Sequence, residues 1–137
     1  MVWWNSKLII VLDSNEYINF LNKKSLDINK ILSNENIIIY VNELIIREVL
    51  RNIKETLKRE FYKILLKDKI ILYNEKLPFN LFKKYKRLGF KKGDIEIAAF
   101  CENIGADCLI AENRHFLKSK RSDKFDIVTM RDFLAKI

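Results

Sequence analysis

At 137 residues, 49% apolar and 32% charged, the chain fits one globular domain spanning 1–137 and excludes both disorder and a disulfide-stapled miniprotein. The formal net charge of +8 favours an anionic partner, although a general excess of Lys supports loose attraction to nucleic acid and not a specific site. Two cysteines and one histidine exclude a Cys/His zinc cluster and fit small core thiols in a reduced, cytoplasmic protein.

The first element, "KLIIVLD" (7–13), is a continuous apolar run rich in β-branched residues. Asp13 interrupts it and it is too short to span a bilayer, so neither a membrane span nor a signal peptide is expected. A second strand is expected over "NIIIYVN" (36–42). A helix capped by Asn42 follows, with Ile46, Val49, Leu50, Ile53, Leu57, Phe61 and Ile64 on one continuous stripe. "KIILY" (69–73) reads as a third strand. The segment 74–92 holds the only proline and "FNLFKKYKRLGFKK", read as a short amphipathic helix burying Phe79, Phe82 and Tyr85. That stretch has a second reading, in which its lysines grip phosphates and its aromatic rings stack on RNA bases. A helix from Asp94 to about Ile104 ends at Gly105, placed as its C-terminal cap. Strands over "DCLIAEN" (107–113) and "FDIVTM" (125–130) complete the pattern, with "LKSKRSDK" (117–124) a solvated loop between them.

Strands with continuous apolar runs are covered on both faces, and alternation with helices implies a parallel sheet. The expected fold is therefore α/β, a three-layer α/β/α sandwich around a mostly parallel sheet of four to five strands. Ligands bind outside the carboxyl ends of such strands, so the polar residues ending each run carry the information. These are Asp13 with Ser14 and Asn15, then Asn42 with Glu43, then Glu112 with Asn113. Asp94 continues the stripe of Ile97, Cys101 and Ile104, either as an N-cap or as a carboxylate aimed into a cleft. Glu48 falls on a helix flank with Leu44 and Asn52, the place of a solvated glutamate. Clustered carboxylates repel one another until a hard cation relieves them, and oxygen-only ligands favour Mg²⁺ or Mn²⁺. A basic protein with such a pocket suits hydrolysis of nucleic acid.

"LIIVLDSNEYINFL", "VNELIIREVL" and "KKGDIEIAAFCENIGADCLIAENRHFL", followed by a last short strand before "RDFLAKI", resemble a PIN domain in order and spacing. PIN domains are small α/β/α nucleases, many of them toxins of toxin–antitoxin pairs. The resemblance implies a Mg²⁺- or Mn²⁺-dependent ribonuclease with catalytic Asp13, Glu48, Asp94 and Asn113, the first three holding the metal. It overrides the solvated reading of Glu48. The family's fourth motif reads Thr-x-Asp-x-x-Phe, whereas "AENRHF" has Ala111, Asn113 and Phe116, so an amide stands where a carboxylate is usual. Glu112 and Glu96 are candidate substitutes as metal ligands. Ser14, Asn15, Asn42, Arg114 and His115 are candidate contacts to nucleic acid, and nothing in the sequence supplies the nucleophile that a mechanism through His115 requires. The implied partners are RNA, an antitoxin protein and a second copy in a homodimer. A PIN-like binding module without catalysis is the alternative, motivated by Asn113. A phosphorylatable receiver domain fits poorly, because Ser14 and not a second acid follows Asp13.

Overall fold

The computed structural model describes residues 7–112 and 122–137. Five strands, β1 (Leu8–Leu12), β2 (Ile37–Asn42), β3 (Ile70–Tyr73), β4 (Cys108–Ile110) and β5 (Asp126–Val128), form one sheet in the order β3-β2-β1-β4-β5. Every pairing is parallel. Seven α-helices among the described residues cover it: α1 (Ser14–Leu21), α2 (Asp27–Leu32), α3 (Glu43–Arg51), α4 (Lys58–Leu65), α5 (Phe79–Arg87), α6 (Lys92–Asn103) and α7 (Met130–Lys136). Because parallel crossovers are right-handed, α1 to α4 lie on one face, where α1 packs with the other three, and the α5–α6 pair lies on the opposite face. The result is the expected three-layer α/β/α sandwich. Among the described residues no helix is long and apolar enough to cross a membrane.

The chain builds the sheet outward from β1, first through β2 to β3 and then back to β4 and β5 on the other side. The topological switch therefore falls beside β1, and a crevice opens there at the carboxyl ends of the strands. Asp107 fixes the β1–β4 register twice over: its carboxylate accepts from the Ile9 N–H at 2.8 Å, and its own N–H donates to the Ile9 carbonyl at 2.7 Å. At the other end the Asp13 N–H donates to the Ile110 carbonyl at 2.9 Å, which carries the pairing one residue past β1.

The expectation of strands covered on both faces holds where the sheet is central. Ile10, Val11 and Leu12 of β1 and all three residues of β4 are buried. It fails at β3, the edge of the sheet, where Ile71 and Leu72 are exposed. The single helix read from Asn42 to Ile64 is instead two. Asn52 turns its side-chain amide back onto the Glu48 carbonyl at 2.7 Å, while its backbone N–H shifts to Val49. That side chain takes the acceptor the next turn would use, so α3 stops and the chain re-enters a helix through a 3-10 turn at Glu55–Leu57. Within α3 the fully buried residues are Ile45 and Val49; of the expected stripe, Val49, Phe61 and Ile64 are buried and Ile46, Leu50, Ile53 and Leu57 pack half-buried against the core. Gly105 does end α6, at φ +70, with the Ala106 N–H donating to the Cys101 carbonyl and the Gly105 N–H to that of Glu102.

Cys101 and Cys108 are buried and free, and burial pushes both thiols up, Cys108 to about 12, so they serve as core residues. Tyr17 is fully buried edge-on to Phe61, with ring centroids 5.7 Å apart, and its hydroxyl has no hydrogen-bond partner among the described residues. An orphaned buried hydroxyl is destabilising. Tyr17→Phe is accordingly expected to raise the unfolding free energy by about 1 kcal/mol, as read from urea titration; a loss of stability would show that the hydroxyl is satisfied in solution.

Candidate functional site

Asp13 follows β1 and occupies the N-cap position of α1, where its side chain makes no capping bond beyond the adjoining Ser14 N–H. It is 6% exposed. Burial raises its carboxyl above the usual range, the Ser14 backbone N–H opposes this, and the charges of Glu48 and Asp94 add to the rise, giving a value of about 6. These neighbours matter more than the value. They come from three separate elements: Asp13 from the β1–α1 junction, Glu48 from α3 and Asp94 from α6. Glu48 and Asp94, from separate motifs of the sequence, thus both lie near enough to Asp13 to raise its carboxyl.

Glu48 reaches this cluster because it stands one turn after Ile45 and beside Val49, on the edge of the buried face of α3. Its Oε2 accepts from the buried Ser14 hydroxyl at 2.9 Å, so the solvated reading of Glu48 does not hold. A Cβ built on Gly93 would stand 4.0 Å from Glu48 Oε1, which brings the first turn of α6 directly against this carboxylate. Asp94 lies in that first turn and is not its cap; Lys91 holds the N-cap position because α6 begins at Lys92. Among the described residues no three His, Cys, Asp or Glu side chains stand as a ready-made metal cage. The donors nonetheless suit a hard cation: they are all oxygen, and the buried Asp13 is crowded by two like charges that a cation would neutralise.

The other candidates separate. Asn42 is buried and its Oδ1 accepts from the Ile45 N–H at 2.9 Å, which makes it the cap of α3. Asn15 is exposed at the start of α1. Glu96 lines a neighbouring cleft with Asn42, Leu44, Tyr73 and Phe82. Glu112 is exposed, and its Oε1 accepts from the Met130 N–H at 3.0 Å, satisfying the first turn of α7. Asn113, Arg114, His115 and Phe116 lie outside the described residues.

Glu16 is the acidic residue that sequence reasoning missed. It is 6% exposed, and its carboxyl is raised to about 7, first by burial and then by the charges of Glu112 and Asp13 and a hydrogen bond with Glu112. A signal was present. Asp13-Ser14-Asn15-Glu16 has the capping-box spacing, in which the acid at the third helical position reaches back to the N-cap N–H. Here that N–H already donates to Ile110, so Glu16 is released from the box and pairs across the sheet edge with Glu112.

No protein-family model matches the chain, and no curated protein matches it in sequence. Among solved structures, a chain of VapBC2 from Rickettsia felis, crystallised bound to a DNA fragment from its promoter, matches with a TM-score of 0.64. The identity is 17%, and the match covers 88% of this chain and 97% of that one. At that identity the likeness establishes the fold, which is PIN-like, and the chemistry of the site rests on its own residues.

Proposed function

We propose that this chain is a metal-dependent endoribonuclease that hydrolyses RNA phosphodiester bonds. The observation that carries the reading is the convergence of Asp13, Glu48 and Asp94 from three elements at the switch point of the sheet. These three would hold Mg²⁺ or Mn²⁺. Such an ion neutralises charge on a phosphate oxygen and makes an attacking water more acidic. The chain's own residues do the positioning. The Ser14 hydroxyl fixes one oxygen of Glu48, leaving the other towards the start of α6. Asp13, with a carboxyl raised to about 6, is suited to exchange a proton near neutral pH when no cation is present. Asn113 would orient the water through its amide oxygen without adding negative charge.

The test is cleavage of a structured RNA with Mg²⁺ or Mn²⁺, against EDTA and against Asp94→Asn. Cleavage is expected to require the cation and to fall to about 1% or less in the variant. Full activity in Asp94→Asn, or in EDTA, would overturn the reading. A role as the toxin of a pair with an antitoxin protein is the narrower part of the proposal, and the likeness to a VapBC2 chain supports it. Harmless overexpression of the chain alone would count against it. The second reading, a PIN-like module that grips RNA without cutting it, is favoured by Asn113 standing where the family has an aspartate. RNA binding in EDTA with no cleavage under any divalent cation would select it.

A further inference from the structure

We propose that the outer face of α5 binds single-stranded RNA, with Phe79 as a stacking platform and Lys83, Lys86 and Arg87 as phosphate contacts. The proposal rests on the ribonuclease reading for the identity of the polymer and on the following geometry for its place. From Pro78 to Lys92 the chain carries Lys83, Lys84, Lys86, Arg87, Lys91 and Lys92 and no carboxylate. Helix α5 turns Leu81 and Tyr85 into the core. That choice leaves Phe79 outside, 71% exposed, although an amphipathic reading of this stretch would bury it.

Lys83 Nζ stands 5.2 Å from the Phe79 ring centroid, so the aromatic and cationic groups form one surface. Lys84 belongs to a different structure. It is held by Glu102 at 2.6 Å and Asp123 at 3.2 Å, beside the Tyr85 hydroxyl, which also donates to Glu102. Among the described residues no carboxylate comes within 4.0 Å of Lys83, Lys86 or Arg87, whereas Lys58 at the start of α4 is paired with Glu55. Part of the net positive charge is thus gathered, unneutralised, on one helix face that also exposes a flat ring. Charge of this kind attracts a polyanion, and an exposed ring stacks on any unpaired base.

The face runs from a cleft neighbouring the candidate site to the start of α6. Leu77 and Phe82 line the cleft shared with Asn42, Leu44 and Glu96. At the other end Lys91 and Lys92 lead directly into Gly93, which lies against Glu48, and Asp94. Phe79 and Arg87 are separated by about 12 Å along the helix axis, enough for a few nucleotides. A strand lying on α5 would therefore be delivered to the carboxylates from the flank.

The test is fluorescence anisotropy of an unstructured single-stranded RNA with the full chain in EDTA, over a range of salt. Phe79→Ala is expected to weaken binding about tenfold. Lys83→Ala/Lys86→Ala/Arg87→Ala is expected to lower the slope of log K against log salt by about 2, at about 0.7 for each phosphate no longer neutralised. The control, Lys63→Ala/Lys67→Ala, removes exposed charges from the α4 side and should leave binding within about twofold, since non-contacting surface charge adds only weak steering. Duplex RNA of the same sequence should not respond to Phe79→Ala. Parent-like binding by both α5 variants, or an equal slope change in the α4 control, would overturn the proposal. Because binding is read without divalent cations, the two readings fail separately. An uncleaved RNA that still loses affinity in the α5 variants retires only the nuclease, and a cleaved RNA with unchanged affinity retires only this face.

Discussion

Asp13→Asn is expected to unfold about 10 °C above the parent chain at pH 7.5 in EDTA, while losing RNA cleavage on the nuclease reading. The two effects have one cause. Asp13 is buried and repelled by Glu48 and Asp94, so its carboxyl rises from 3.8 to about 6 on folding. A group whose pKa is raised in the folded state binds its proton more tightly there. Stability is therefore fullest below about pH 4, falls as pH rises through 6, and levels off above about pH 7. The difference between the two values corresponds to about 3 kcal/mol of destabilisation at neutral pH. An amide of the same shape carries no charge to desolvate, keeps an oxygen for the Ser14 N–H, and removes one of three like charges. At about 3 °C per kcal/mol for a domain of this size, the whole effect is about 10 °C. Thermal melts of both proteins at several pH values between 4 and 8 check it, and the two curves should converge towards pH 4. On the nuclease reading, adding Mg²⁺ or Mn²⁺ should raise the melting temperature of the parent and leave that of the variant nearly unchanged, because the relief a cation would give is already built into the amide. A variant less stable than the parent at pH 7.5 would show that Asp13 is not the strained group described here.

This trade between stability and site chemistry explains which features were legible in the sequence. The apolar runs that become β1, β2 and β4 are long, β-branched and unbroken because burial on both faces demands it, and Asp13 is conspicuous as the first charge after such a run. Gly105 was readable for a similar reason, since a helix ending at positive φ favours that residue. Where the structure departs from the local pattern, the cause is a side-chain contact or a place in the sheet that periodicity does not encode. Helix α3 continues on the wheel through Ile53 and Leu57, and only the Asn52 amide turning onto the Glu48 carbonyl ends it. Glu48 reads as solvated on a helical wheel centred on Ile46; centred on Ile45 and Val49, it lies at the core edge where Ser14 reaches it. The edge strand β3 has the same composition as the central strands, and its exposure follows from its place in the sheet order, which no local pattern encodes. Phe79 is the converse case, a residue placed in the core by periodicity and found outside it.

Glu16→Gln should be silent below about pH 4.5 and stabilising above pH 7, by about 2 kcal/mol at pH 8. Glu16 is raised from 4.5 to about 7 by burial and by Glu112, so its protonated form is the one that fits the fold. In that form it donates to the Glu112 carboxylate, whose other role is to accept from the Met130 N–H. The pair thereby joins α1, the end of β4 and the start of α7. As pH rises through 7 the proton leaves, two carboxylates confront each other, and this contribution to stability is lost. Glutamine retains the donor at every pH, so the junction persists in alkaline solution. The gain is smaller than the full pKa difference implies, because Glu112 is exposed and water screens the repulsion between the two charges. Glu16→Ala separates the hydrogen bond from the charge: it removes the repulsion at pH 8 but also the donor and the packing, so it should be destabilised at pH 4.5, where glutamine is neutral. Urea titrations of the parent and both variants at pH 4.5 and pH 8 make the comparison, and a loss of stability in Glu16→Gln at pH 8 would refute it. Cleavage by Glu16→Gln then decides what the residue is for. If Glu16 only joins α1 to β4 and α7, the variant keeps the parent's RNA cleavage. A folded Glu16→Gln as inactive as Asp13→Asn would instead place Glu16 among the carboxylates that act on the substrate, taking the charge that Asn113 lacks.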